Sequence, residues 1–289
     1  MASIYKFNRR TIALRIVKEE CCRALSGRNM KICLLISFLL AAGQMACFYY
    51  FHMQEVEFLE YPTVLYEGYI GGEGYTFFNE LYFSLIPILA AFPFAGSFYY
   101  DTKTGYIKNL CCRVPKSKYL LAKYLAVYIS GAVGAVLPFI LSFLLAALLY
   151  PAQKPYELAS QSGIMDISMF SEYYFTKPLW YMFLYVCIIM VFGGALAAIS
   201  LSITYYAQNI LVVLFAPYIV YSIQNLLMIQ MELAGWSWRQ IIDPCSAPVY
   251  PSMITGTSIL SSIIFLLFTT LFSFLFIGCR RDTVEWLKN

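Results

Sequence analysis

The stretch Asp101–Lys123 reads DTKTGYIKNLCCRVPKSKYLLAK and lies between two long apolar runs of a 289-residue chain. It carries six of the twenty lysines and arginines, and four of its apolar residues recur at i, i+3, i+4 and i+7. Such spacing predicts a short helix with one apolar face. The four residues are Ile107, Leu110, Cys111 and Val114. Pro115 is expected to end this helix because proline lacks a backbone N–H, and Ser117 is expected to cap the next helix.

Apolar runs dominate the sequence on both sides of this stretch. The chain is 61% hydrophobic and only 12% charged, against about 25% charged residues in soluble domains. Crossing a bilayer takes about 20 apolar residues, and the backbone of such a run must be helical. Six runs qualify, although the third is long enough to begin outside the membrane. They are Ile32–Phe51, Leu81–Tyr100, Leu120–Tyr150, Leu179–Tyr205, Ile210–Met231 and Thr257–Cys279.

We therefore predict an all-α integral membrane protein with six transmembrane helices. Residues 1–31 are expected to form a cytosolic amphipathic helix, and residues 32–279 the six-span domain. Residues 280–289 are expected to be a cytosolic tail. The helix predicted in Asp101–Lys123 then lies in the cytosol between spans two and three.

The distribution of basic residues predicts the orientation of the spans. The N-terminal segment holds eight lysines and arginines, the stretch 101–123 holds six and the tail three. The alternate connections hold only Lys154, Lys177 and Arg239. Positively charged residues concentrate on the cytoplasmic side of membrane proteins. Both termini are therefore predicted to be cytosolic, in a multi-pass protein of the plasma membrane.

The N-terminal segment has the pattern of an amphipathic helix lying along the membrane. Its apolar side is predicted to contain Leu14, Val17, Cys21 and Leu25. Basic residues on the other side would meet anionic headgroups at about 1 kcal/mol each. Two interpretations stay open: an elbow helix that packs on a partner, or a simple topological anchor.

Several kinds of chemistry have no signal in the sequence. The interiors of the predicted spans contain no Asp, Glu, Lys, Arg or His, whereas ion-coupled carriers usually place such a residue there. The chain has a single histidine, His52, and no G-x-x-x-x-G-K-[ST] phosphate loop, so neither a metal site nor ATP binding by that route is predicted. The nine cysteines do not form C-x-x-C pairs and are interpreted as small buried apolar residues.

The layout resembles the membrane subunit of type-2 ABC exporters, which has six helices and a separate ATPase. The most specific likeness is Asp101-x-x-x-Gly105-x-x-Lys108-x-Leu110, followed by Pro115-x-Ser117-x-x-x-x-x-Lys123. It is similar to that family's coupling-helix loop. The family more often has Glu where this chain has Asp101, and Arg where it has Lys118.

The resemblance implies a permease that is not itself an enzyme. ATP and Mg²⁺ would bind to a cytosolic ABC ATPase, and a second permease, identical or not, would complete a dimer in the lipid bilayer, with no nucleic acid involved. Its coupling residues would be Asp101, Gly105, Ile107, Leu110, Cys111, Val114, Pro115 and Lys123.

In that family spans one, two and five line the translocation path. Gln44, Gln224 and Asn225 are therefore candidates for polar contacts with cargo, and hydrogen bonding between helices is the equally open alternative. A path with so little charge is typical of amphipathic cargo such as a peptide, a lipid-like molecule or a drug. The alternative from another class is a membrane interaction or immunity protein that transports nothing; a secondary carrier is disfavoured by the uncharged spans.

Overall fold

The structure is a computed structural model in which the described part of the chain is helical and contains no extended strand. It describes residues 15–55, 63–72, 77–112, 114–155, 163–164, 168–207, 209–246 and 254–280. The predictions for residues 1–14 and 281–289, including Leu14 and most of the tail, lie outside these ranges.

Eleven α-helices in the described ranges are named here in chain order. They are α1 (15–26), α2 (Arg28–Glu55), α3 (Phe77–Ala91), α4 (Ser97–Lys103), α5 (Tyr106–Cys111), α6 (Lys116–Leu149), α7 (Ser171–Thr176), α8 (Pro178–Thr204), α9 (Ile210–Gln230), α10 (Trp238–Ile242) and α11 (Gly256–Arg280).

Five of these helices are long and apolar enough to cross a membrane, namely α2 over Arg28–Phe51, α6, α8, α9 and α11. The protein therefore has the character of a multi-pass membrane protein. The predicted second span, Leu81–Tyr100, is not one continuous helix. α3 ends at Ala91, a turn covers 92–96, and α4 begins at Ser97. Pro93 lies in this turn and supplies no N–H for a helical hydrogen bond.

Helix α6 is the longest of the described elements, with 34 residues. At 1.5 Å per residue it is roughly 51 Å long, well beyond the roughly 30 Å of a hydrocarbon core. It begins at Lys116 with Pro115 as its N-cap residue, at φ −57° and ψ 130°. The prediction that Ser117 caps this helix is therefore wrong, because Ser117 already lies inside the first turn.

Small residues let α6 and α8 pack closely at the centre of the bundle. A Cβ on Gly131 would lie 2.3 Å from that of Ala197, and one on Gly193 would lie 2.4 Å from that of Ala135. Contacts below 3 Å require backbone movement here, because neither alanine has a flexible side chain. The Gly- and Ala-rich pattern of α8 therefore serves packing within the subunit.

Two ends of the bundle have different characters. One end of the bundle, called the basic end, contains α1, α4, α5, the start of α6 and the end of α11. Phe98 of α4 packs there against Tyr119 and Phe274. The start of α3 and the end of α6 lie at the other, the loop end. There the inserted segment (63–72) is buried between the helices.

Hydrogen bonds hold the inserted segment. The amide of Ile70 donates to Ser142 Oγ at 3.2 Å, and that of Gly71 donates to Asn79 Oδ1 at 2.8 Å. Gly71 has φ +94°, a conformation that favours glycine.

Candidate functional site: a buried charge cluster at the basic end

Four charged side chains meet at the basic end and form what we call the charge cluster: Glu20, Arg23, Asp101 and Lys123. Lys123 has no exposed surface, Asp101 is 2% exposed and Glu20 is 5% exposed. Lys123 Nζ lies 2.6 Å from Asp101 Oδ2 and 3.0 Å from Glu20 Oε2. Arg23 Nη2 lies 2.7 Å from Asp101 Oδ1. Asp101 therefore binds both cations.

Three separate elements bring these groups together. α1 supplies Glu20 and Arg23, which are three residues apart and therefore on one face of the helix. α4 supplies Asp101, and the second turn of α6 supplies Lys123. Tyr119, one turn before Lys123, donates its hydroxyl hydrogen to Asp101 Oδ2 at 3.0 Å. The cluster thus joins α1, α4 and α6.

Aromatic rings surround the two cations. The Phe94 ring centroid lies 4.4 Å from Lys123 Nζ and 5.7 Å from the Arg23 guanidinium carbon. Arg23 also lies 5.5 Å from the centroid of Tyr106, the first residue of α5. Such cation–π contacts contribute about 0.5–2 kcal/mol each, more when they are desolvated. Through Tyr106, the cluster also contacts α5.

The charges of the cluster balance, with two carboxylates and two cations. Burial alone would raise the pKa of Asp101, but Lys123 and Arg23 outweigh it and lower the pKa below its ordinary value. Removing one member of a buried ion group leaves an uncompensated charge and destabilises a protein by about 3–5 kcal/mol. We therefore expect the four groups to act as one unit.

The predicted apolar face of α5 points inward. Ile107 and Val114 are buried, and the half-buried Leu110 and Cys111 pack against the core. α5 itself ends at Cys111, so Val114 follows it in a bend before Pro115. The exposed face is formed by Tyr106, Lys108, Asn109 and Cys112.

Gly105 gives α5 its direction. It is the N-cap residue of the helix and has φ +70°, in the left-handed region. A Cβ there would meet no other atom within 4 Å. Glycine is therefore favoured at this turn because of its backbone conformation. The turn between α4 and α5 places α5 beside Arg23.

The three candidates for the translocation path are in different settings. Gln44 is fully buried within α2. Gln224 of α9 donates through Nε2 to the carbonyl oxygen of Trp236 at 2.8 Å and accepts from the amide of Trp238 at 3.1 Å.

Asn225 accepts a hydrogen bond from Ser237 Oγ at 2.6 Å. Gln224 and Asn225 therefore fasten the segment between α9 and α10 to α9. These hydrogen bonds join α9 to the segment that follows it in the chain and do not join two spans.

The sequence led us to Asp101 and Lys123 but not to Glu20 and Arg23. The predicted apolar side of the N-terminal helix also differs from the face that is buried. Leu25 is 42% exposed, whereas Glu20 and Ala24 are buried. The sequence signal that could have identified Glu20 is its position, one turn from Arg23 in a segment rich in basic residues.

Within the described ranges, no group of three or more His, Cys, Asp or Glu side chains could hold a metal ion. Comparison of the chain with protein-family models, with curated proteins and with solved structures gives no match. The function must therefore be inferred from the residues themselves.

Proposed function

We propose that this chain is the permease subunit of a type-2 ABC exporter, driven by a separate cytosolic ATPase that binds ATP and Mg²⁺. The observation that carries the proposal is the charge cluster, which fastens α4, just before the turn to α5, to α1 and α6. In this proposal α1 is the elbow helix and α5 is the coupling helix. The excess of basic residues supports a cytosolic position for the basic end and both termini, which we propose for a plasma-membrane protein.

A sixth pass completes this arrangement. α3 has only 15 residues, but Asn79 near its start bonds to the inserted segment at the loop end. Phe94, in the turn that follows it, contacts the charge cluster at the basic end. In our proposal α3 and the turn 92–96 together form span two, shortened because the surrounding helices shield it from lipid.

Force would reach the bundle through α5. Its inner face is packed on the core, and its base is held by the charge cluster, so α5 has little freedom to move alone. A partner that displaces α5 would therefore displace the first turns of α6, a helix that extends to the loop end. The exposed face of α5, with Tyr106, Lys108 and Asn109, is where we place the contact with the ATPase.

A second permease, identical or related, would share the membrane with this one. Apolar side chains are exposed along α2, α9 and α11, for example Leu35 at 58%, Leu226 at 61% and Ile264 at 65%. Lipid covers such surfaces in a bilayer, and part of them would meet the second subunit. For cargo we propose amphipathic molecules, with Gln44, Gln224 and Asn225 as the polar candidates for the path.

Co-purification with a cytosolic ABC ATPase, sought first in the neighbouring reading frames, tests this proposal. Lys108→Glu reverses a charge on the exposed face of α5 and should reduce recovery of the ATPase. Lys177→Glu makes the same change at the exposed start of α8, at the loop end, and should leave recovery unchanged. The two variants should insert into the membrane equally well.

Two results would contradict the proposal. One is equal ATPase recovery with the Lys108 and Lys177 variants, which would remove α5 as the docking element. The other is the failure of the wild-type chain to bind any ATPase and to support ATP-dependent movement of amphipathic dyes in vesicles. That result would favour an interaction or immunity protein.

A further inference from the structure

An apolar groove of about 660 Å³ runs between α9 and α11. Its wall includes Gln224, Trp236, Trp238, Ser261, Phe265 and Phe268. This volume lies within the range of about 300–1,000 Å³ that is usual for small-molecule sites. Both flanking helices are candidate membrane spans, so the medium at its opening is hydrocarbon.

Two polar side chains of the groove wall, Gln224 and Ser261, already have hydrogen-bond partners. Both ends of the Gln224 amide bind the backbone of Trp236 and Trp238. Ser261 Oγ donates within α11 to the carbonyl oxygen of Thr257 at 2.7 Å. Most of the remaining wall is aliphatic or aromatic, with Ile264, Phe265 and Phe268, which suits a hydrocarbon chain.

The depth of the groove also suits such a chain. Gln224 lies six residues from the end of α9, and Phe268 lies twelve residues from the start of α11. These separations correspond to roughly 9 Å and 18 Å along the helices. Trp236, which is 44% exposed, lies at the shallow end, and tryptophan favours the headgroup level. The groove therefore extends from the headgroups towards the middle of the bilayer.

We propose that the groove binds one acyl chain of a phospholipid from the leaflet at the loop end. The chain enters sideways between α9 and α11 and rests on Phe265 and Phe268, with Trp238 in the same wall. This inference requires neither the ATPase nor transport, and its failure would leave the proposed function untouched.

Trp238 provides a direct probe. It is only 6% exposed, so bulk lipid has little access to its indole. A protein with Trp238 as its sole tryptophan is made by the changes Trp180→Phe, Trp236→Phe and Trp286→Phe. It is reconstituted at low protein density in phosphatidylcholine vesicles whose acyl chains carry bromine, a short-range quencher. We expect Trp238 emission to be lost relative to the same lipid without bromine.

Filling the groove should reverse this loss. Ser261→Phe places a ring in the groove and should restore Trp238 emission. Leu260→Phe is the control, because Leu260 is 62% exposed on α11 and does not line the groove. A protein with Trp180 alone, 61% exposed, should be quenched in every case and reports that brominated lipid is present.

Three outcomes would overturn the proposal. Trp238 could remain bright while Trp180 is quenched, which would mean that no lipid chain enters. Trp238 could be quenched equally with Ser261→Phe, which would place the chain elsewhere. Trp238 could also be quenched at low protein density but not at high protein density. That result would indicate that a second copy of the chain occupies the groove.

Discussion

Lys123 is an ammonium group without any exposed surface, on a helix that is otherwise largely apolar. Moving such a charge out of water is expensive unless it is paired and hydrogen-bonded. Asp101 and Glu20 provide that pairing from two other elements. One residue therefore makes the position of α6 depend on α1 and α4.

Replacement of Lys123 separates this electrostatic role from simple packing. Lys123→Met leaves two carboxylates with Arg23 alone and should destabilise the protein by about 3–5 kcal/mol. Adding Asp101→Asn leaves the balanced pair Glu20–Arg23 and should recover part of that loss. Thermal unfolding in detergent gives the measurement, followed by thiol-dye labelling of the buried Cys33 in a protein whose other eight cysteines are replaced by serine.

The double variant decides between the two roles. Partial recovery means that the two substitutions are strongly non-additive, as expected for groups in contact. A double variant less stable than Lys123→Met would contradict the electrostatic role and leave only packing.

Glu67 in the inserted segment predicts a dependence of stability on pH. Burial raises its pKa from 4.5 to about 7, although the amide of Val64 donates to its carboxylate and works against this rise. Between pH 4.5 and about 7, Glu67 is therefore protonated in the native state and ionised in the unfolded state. Linkage then makes stability fall as pH rises through this window, with the full penalty present above pH 7.

Glu67→Gln should remove this penalty, because the amide keeps an acceptor for Val64 and carries no charge. At pH 8 the variant should be more stable than wild type by up to about 3 kcal/mol, and at pH 4 the difference should vanish. Unfolding measured at several pH values provides the test. Glu172→Gln, at an exposed position, is the control, and an equal effect there would contradict the assignment to Glu67.

At the scale of elements, α5 shows what periodicity can and cannot predict. The apolar spacing identified a short helix with one apolar face, and Tyr106–Cys111 is helical. Which partner that face meets depends on tertiary packing, and Ile107 meets the core of the same chain. Substituting Ile107 therefore perturbs the bundle, and docking is better tested on the exposed face.

Gly105 gives a clean test of backbone conformation at the start of α5. Gly105→Ala forces a Cβ into the left-handed region and should destabilise the protein by about 1–2 kcal/mol. Gly256→Ala is the matched control, since a Cβ at either position meets no atom within 4 Å and only Gly105 has positive φ. Equal unfolding temperatures for the two variants would contradict the role given to Gly105.

The ends of elements were harder to predict than the elements themselves. Hydropathy located the apolar runs because each must match the thickness of the bilayer. It did not reveal that the second run breaks at 92–96, since the break depends on how the chain turns towards Asp101. Nor did it reveal the burial of Glu20, because its partner Lys123 lies 103 residues away in the sequence.

At the scale of the whole molecule, the contact between α6 and α8 organises the bundle. Its closeness rests on Gly131 and Gly193, where a Cβ would collide with alanines of the facing helix. Small residues such as Gly and Ala let membrane helices approach closely.

Gly193→Val tests this contact. It should force the central helices apart and lower stability by about 1–3 kcal/mol or more, as overpacking does. Gly256→Val, at the open start of α11, controls for loss of a glycine. Thermal unfolding in detergent compares the two, and similar values would contradict the central role of the contact.

The inserted segment also has a consequence for biosynthesis. It follows the first span, yet the Tyr174 hydroxyl donates to the carbonyl oxygen of Tyr66 at 3.0 Å, and a Cβ on Gly71 would lie 3.1 Å from the Pro244 ring. Those partners leave the ribosome more than a hundred residues later. Packing around the inserted segment therefore cannot be completed while the early spans are alone in the lipid. In a nascent chain halted before residue 244, the inserted segment should remain accessible to protease.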